Sequence, residues 1–189
     1  MSRIPRRTFL QLAATAIPAS SLLAQTSGTV QAAKPVLVSA GADREGKVHA
    51  VGVSSTTYKV LTAETSGAMF VMEQANSKKG GPTRHRHFSQ DELFYVMEGE
   101  YIVEVGSERF HLKAGDCVLG PRGIPHAWAF VGDSTGRMLL SYSPAGKMEE
   151  LFNHLEQLGV KKGTYASTQD AETMRAYGIE LVGPALKID

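Results

Sequence analysis

Between Val48 and Tyr142 apolar and polar positions alternate in short runs broken by glycine and proline. Val48–Val53, Thr57–Thr62 and Ala68–Gln74 come in quick succession, with Gly67 between the last two. Glu92–Glu98 and Glu100–Val105 flank Gly99, a hairpin-turn position, and Arg109–Leu112, Asp116–Leu119, His126–Val131 and Arg137–Tyr142 follow. A period of two over such lengths predicts strands. Many short strands at even spacing predict an all-β sandwich or barrel instead of βαβ units. The tail changes period. Met148, Leu151, Phe152, Leu155 and Leu158 recur at helical spacing up to Gly159, and Ser167-Thr168-Gln169-Asp170 reads as a second helix start, with Gly178 as its C-cap. Two short helices are therefore expected outside the β-body.

The ends of the chain differ from this pattern. Arg3, Arg6 and Arg7 precede a mildly apolar run from Phe9 to Ala24 without acidic residues, and Val30-Gln31-Ala32 offers small residues for cleavage. Arg6-Arg7-Thr8-Phe9-Leu10-Gln11 resembles a twin-arginine export signal, so residues 1–32 are read as a signal peptide and the protein as periplasmic or secreted. Residues 33–47 read as linker and lead-in, and 48–189 as one domain. Nothing in a formal charge of +1 and 21% charged residues points to nucleic acid, or to a membrane once the signal is removed. The single cysteine, Cys117, excludes an intrachain disulfide and is expected to be a buried apolar residue of its strand.

The chemistry concentrates in two short stretches. One holds His85, His87 and Glu92 ahead of Gly99; the other runs from Gly115 through Pro121-Arg122-Gly123 to His126. His85 and His87 are two apart, so on a strand both rings share a face and Arg86 points away. An antiparallel return is expected to bring Glu92 back to the two rings, and His126 is expected from a distant strand across the barrel. Three imidazoles and a carboxylate can hold one divalent transition metal (Fe, Mn, Ni, Co, Cu or Zn) and leave positions open. By the same alternation, Phe94 and Val96 face the way Glu92 does, and Trp128 and Phe130 the way His126 does. These four are expected to line an apolar, aromatic pocket with one polar focus, suited to an aromatic or enol-containing molecule. His49, His111 and His154 lack partner spacing and are assigned to structure. Arg84, Arg86 and Arg122 are candidates for attracting an anion at the mouth.

These two stretches resemble the two motifs of the cupin superfamily, over roughly residues 45–185. Gly80 stands one residue short of the usual first-motif glycine, and Phe130 stands where the second motif usually ends in Asn. The resemblance implies a cupin jelly roll with two short C-terminal helices, and ligation by His85, His87, Glu92 and His126. Pro144-Ala145-Gly146 and the tail Arg175–Pro184 resemble small bacterial cupins similar to quercetinase. That implies a metal-dependent dioxygenase in which Glu92 also takes a substrate proton, with a small, aromatic substrate and O2 as partners, and allows a homodimer. A non-catalytic periplasmic binding cupin and a cupin isomerase or decarboxylase are the alternatives.

Overall fold

The computed structural model describes residues 34–158 and 168–188. The segment read as an export signal, Gly159 and Ser167 lie outside the described residues. Among the described residues eleven strands form two antiparallel sheets: β1 (His49–Val51), β2 (Ser54–Val60), β3 (Phe70–Asn76), β4 (Thr83–His87), β5 (Asp91–Glu98), β6 (Glu100–Val105), β7 (Glu108–Lys113), β8 (Cys117–Gly120), β9 (His126–Phe130), β10 (Gly136–Ser143) and β11 (Ile179–Ala185). One sheet runs β1-β2-β3-β10-β5-β8 and the other β11-β4-β9-β6-β7. This is the jelly-roll architecture expected from the alternation. Two helices, α1 (Met148–Gln157) and α2 (Thr168–Ala176), follow the body.

Strand β10 shows how the pattern becomes packing. Met138, Leu140 and Tyr142 are buried on one face, while Arg137, Leu139 and Ser141 alternate outward at intermediate exposure. β10 pairs with β3 on one side and β5 on the other, which sets Met72, Leu140 and Phe94 in one row across the sheet. Each such side chain contributes about 1.5–3 kcal/mol when it leaves water. Tyr58 adds an edge-to-face contact on Phe70, with centroids 4.9 Å apart at 82°. In α1, Met148, Leu151 and Leu155 form the buried stripe, with Glu149 and Glu150 in the first turn where the helix dipole favours acid.

Two features depart from the expectations. β11 was not foreseen; it pairs with β4 and so braces the strand that carries His85 and His87. Thr62, expected to close a strand, instead begins a short 3-10 turn, Thr62–Thr65. Gly99 makes the β5–β6 hairpin with φ of +80°, and a Cβ there would sit 2.6 Å from the Thr135 carbonyl, so no other residue fits unstrained.

Cys117 is exposed, not buried. It lies on edge strand β8 opposite Tyr95, on the outward parity of β5, whereas Phe94 next to Tyr95 points inward. Among the described residues no helix is long and apolar enough to cross a membrane.

Candidate metal centre

His85 and His87 occupy alternate positions of β4, and both rings turn inward. His126 opens β9 and stands directly opposite His85 in the β4–β9 pairing. Glu92 comes from β5 in the other sheet. The expected roles are thus exchanged: His126 is the neighbour and Glu92 reaches across. The physical reason is that Phe88–Gln90 carries the chain from one sheet to the other instead of folding β5 back onto β4. Ligand atoms of His85, His87, Glu92 and His126 all lie within 4.8 Å of one another.

The second layer of contacts fixes how these groups face. His85 Nδ1 donates to the Thr83 carbonyl at 2.8 Å, and His126 Nδ1 donates to the Ile124 carbonyl at 3.0 Å. Carbonyls accept only, so both Nδ1 atoms carry hydrogens and both rings turn Nε2 to the centre, the atom that offers a lone pair to a metal. Glu92 Oε2 lies 3.0 Å from His87 Nε2 and 3.1 Å from His126 Nε2. A carboxylate at that range from Nε2 calls for positive charge between them, supplied by a proton on the ring or by a bound metal ion. The separations suit ligands placed about 2.0–2.2 Å from one ion. The residues therefore fit a divalent transition metal, and two of them, His85 and Glu92, also face a cavity. Gly120 keeps this packing possible, since a Cβ there would sit 3.2 Å from both His126 Nδ1 and the Phe94 ring.

Electrostatics prepare the groups for that role. Burial, then the neighbouring His126 and His87, push His85 down to about 3, so it stays neutral and available. Burial alone would raise the Glu92 carboxyl, but contacts with His126 and His87 outweigh it and hold it below the usual carboxylate value. The sign for stability follows. With an ordinary value of about 6.5 in the unfolded chain, His85 binds protons there first as pH falls. Its contribution is complete above that value and is lost progressively as pH drops toward 3. Metal-free protein should melt lower at pH ~4 than at pH ~7, on the order of 5–10 °C, in a calorimetric pH series; a flat series between those pH values would contradict it.

The cavity has a volume of about 80 Å³. Trp128 lines it, together with His85, Glu92, Tyr142, Gln74 and an apolar wall that includes Leu140 and Leu151. Phe94, Val96 and Phe130 do not line it. They face inward but lie elsewhere in the core: Phe94 edges onto His126 at 5.7 Å, and Phe130 packs on Tyr101 at 5.3 Å. Alternation predicted their face correctly, but the cavity runs toward β1–β3, under α1 and α2. Its residues from those elements were missed; the polar Gln74 among Phe70 and Met72 on one strand face was the available signal.

The remaining candidates resolve into structure. His49 is fully buried, stacked on Tyr58 at 3.9 Å and bonded to Glu156 at 2.9 Å. His154 packs against Tyr177, and His111 is exposed on β7. Arg84, Arg86 and Arg122 are engaged by Glu104, Glu180 and Asp91, which leaves them poorly placed to attract an anion.

Three histidines and one glutamate thus converge across the two sheets of a jelly roll. Residues 71–142 match the cupin domain family. It is 31% identical over 61 residues to an uncharacterized protein of Methanocaldococcus jannaschii, a stretch covering 32% of this chain and 49% of that one. It is 34% identical over 62 residues to the polyketide synthase CurC of Streptomyces cyaneus, covering 33% of this chain and 40% of that protein. The chain thus spans about half or less of the length of these curated relatives. A predicted oxalate decarboxylase of Thermotoga maritima shares the fold, with a TM-score of 0.51, 15% identity, and coverage of 58% of this chain and 98% of that one.

Proposed function

We propose that His85, His87, Glu92 and His126 bind one divalent transition metal, and that the adjoining cavity holds a compact aromatic or enol-bearing molecule cleaved with O2, a quercetinase-like dioxygenation. The observation that carries this reading is the cavity wall. It is apolar apart from a few neutral polar groups, and its titratable focus is the edge of the metal centre, His85 and Glu92, with Tyr142 beside them. Its described lining has no lysine or arginine. A dicarboxylate or a sugar phosphate would find no countercharge there beyond the ion, which disfavours the decarboxylase and isomerase alternatives. About 80 Å³ corresponds to roughly five to eight water positions, a fit for a molecule of one or two fused rings.

When bound, the ion would polarise an enol oxygen as a Lewis acid and enable oxidation by O2. Both oxygen atoms end in the product, so no separate reductant is needed. Trp128 and the aliphatic wall would orient the ring and exclude water. Glu92, facing the same space, would accept the enol proton. The twin-arginine-like stretch supports a further part of this proposal: export of a protein already folded around its metal.

Purified protein loaded in turn with iron, manganese, cobalt, nickel, copper and zinc should consume oxygen with quercetin or with 3-hydroxychromone, its fused-ring enol core, in at least one metal form. Binding of both without oxygen uptake in any form would establish the non-catalytic binding alternative instead.

A further inference from the structure

Gln74 is a polar side chain of the cavity that the metal chemistry does not use. It lies in β3 on the inward face shared with Phe70, Met72 and Asn76, and it is 2% exposed. Its Nε2 is buried without a hydrogen-bond partner. Asn76, two residues on, differs sharply. Its Nδ2 donates to Ser54 Oγ at 2.9 Å, and its Oδ1 accepts from the Tyr101 hydroxyl at 2.9 Å. A structural amide in this sheet is thus satisfied by its neighbours. An unsatisfied buried donor is costly and calls for an explanation. Gln74 lines the same cavity as His85 and Glu92.

The sheet register places the two ends of that cavity. Gln74 stands opposite Met138 on β10, and Glu92 stands opposite Tyr142 on the same strand. Four residues along a strand span about 13 Å, and two interstrand steps add about 10 Å sideways, so the two Cα atoms are roughly 16 Å apart. The wall between them is largely apolar, with Trp128 and Leu140 among its residues. The site thus has a metal-facing end, an apolar middle and one waiting amide donor.

We propose that Gln74 is a specificity-determining residue: its Nε2 donates a hydrogen bond to an oxygen at the end of the substrate remote from the metal. The substrate class is then an aromatic enol that carries a second oxygen across its ring system. This rests on the reading of the cavity as the substrate site. Desolvation explains why the selection is effective. A molecule lacking that oxygen leaves the donor unpaired, whereas one carrying it gains a bond in a dry site.

The chain's single tryptophan, Trp128, lines the cavity, so its fluorescence reports occupancy without turnover. The test uses full-length protein loaded with zinc, which is redox-inert. It compares 3-hydroxychromone with 3,7-dihydroxychromone, which adds a hydroxyl at the far side of the same ring system. Wild type should bind the dihydroxy probe roughly tenfold more tightly. Gln74→Met should bring the two affinities within about twofold and should melt no lower than wild type, since it removes an unpaired donor at equal bulk. Gln74→Glu, similar in shape but without the donor when ionised, should lose the preference too. If both probes quench Trp128 and the preference survives in either variant, the role of Gln74 is overturned while the cavity reading stands. If neither probe quenches Trp128 in wild type, the cavity reading falls, and this inference falls with it.

Discussion

His126→Ala should abolish stoichiometric metal binding and, with it, the metal-dependent part of thermal stability. His126 is fully buried and held by the Ile124 carbonyl, directly opposite His85 in the β4–β9 pairing and 3.1 Å from Glu92 across the sheets. An ion held by His126 and Glu92 would therefore tie the two sheets together. Removing His126 leaves two histidines and a carboxylate without the fourth corner. An ion present at about 100 times its dissociation constant adds roughly 2.7 kcal/mol to folding, worth about 5–10 °C in a domain of this size. Wild type should gain that shift on metal addition, and the variant should gain almost none. The variant also opens a cavity beside Phe94, so metal-free forms of both proteins must be compared, and the diagnostic quantity is the shift on loading. His111→Ala, on an exposed position of β7, should leave metal content and shift unchanged. A His126→Ala protein that keeps one ion per chain by elemental analysis would remove His126 from the ligand set.

The four residues were legible in the sequence because strand alternation is a local property. His85 and His87 share a face whatever the surroundings, and their spacing from Glu92 and His126 survives in the fold. Which sheet each strand joins is not local. The crossing at Phe88–Gln90 depends on where β10 and β8 offer open edges, and so the roles of Glu92 and His126 were exchanged. The same limit explains the pocket. Parity correctly turned Phe94, Val96, Trp128 and Phe130 inward, but only Trp128 lies toward β1–β3, where the cavity runs. Cys117 failed for a related reason, since an edge strand's outward face is set by what fails to cover it. β11 was hidden because Gly183 and Pro184 interrupt its alternation, although its first residues, Ile179 to Leu181, pair regularly with β4.

Glu92→Gln should separate holding the metal from using it. The substitution preserves shape at a fully enclosed position but replaces a carboxylate with an amide that accepts protons poorly. His85, His87 and His126 remain, and three protein ligands are enough for a catalytic site. Metal should stay bound at saturating concentration, with affinity reduced about 10–100-fold. Trp128 quenching by 3-hydroxychromone should persist, because the apolar wall is untouched. Oxygen uptake should fall by about 10²–10⁴, the range expected when a positioned general base is lost. The wild-type geometry gives the reason. Contacts with His87 and His126 hold Glu92 ionised despite its burial, so it is charged before the substrate arrives. An incoming enol that takes part of the ion's attention would loosen the carboxylate and free an oxygen for the proton. A Glu92→Gln protein that binds metal and probe and still consumes oxygen at the wild-type rate would mean that the proton leaves by another route. Glu92 would then be a ligand and nothing more.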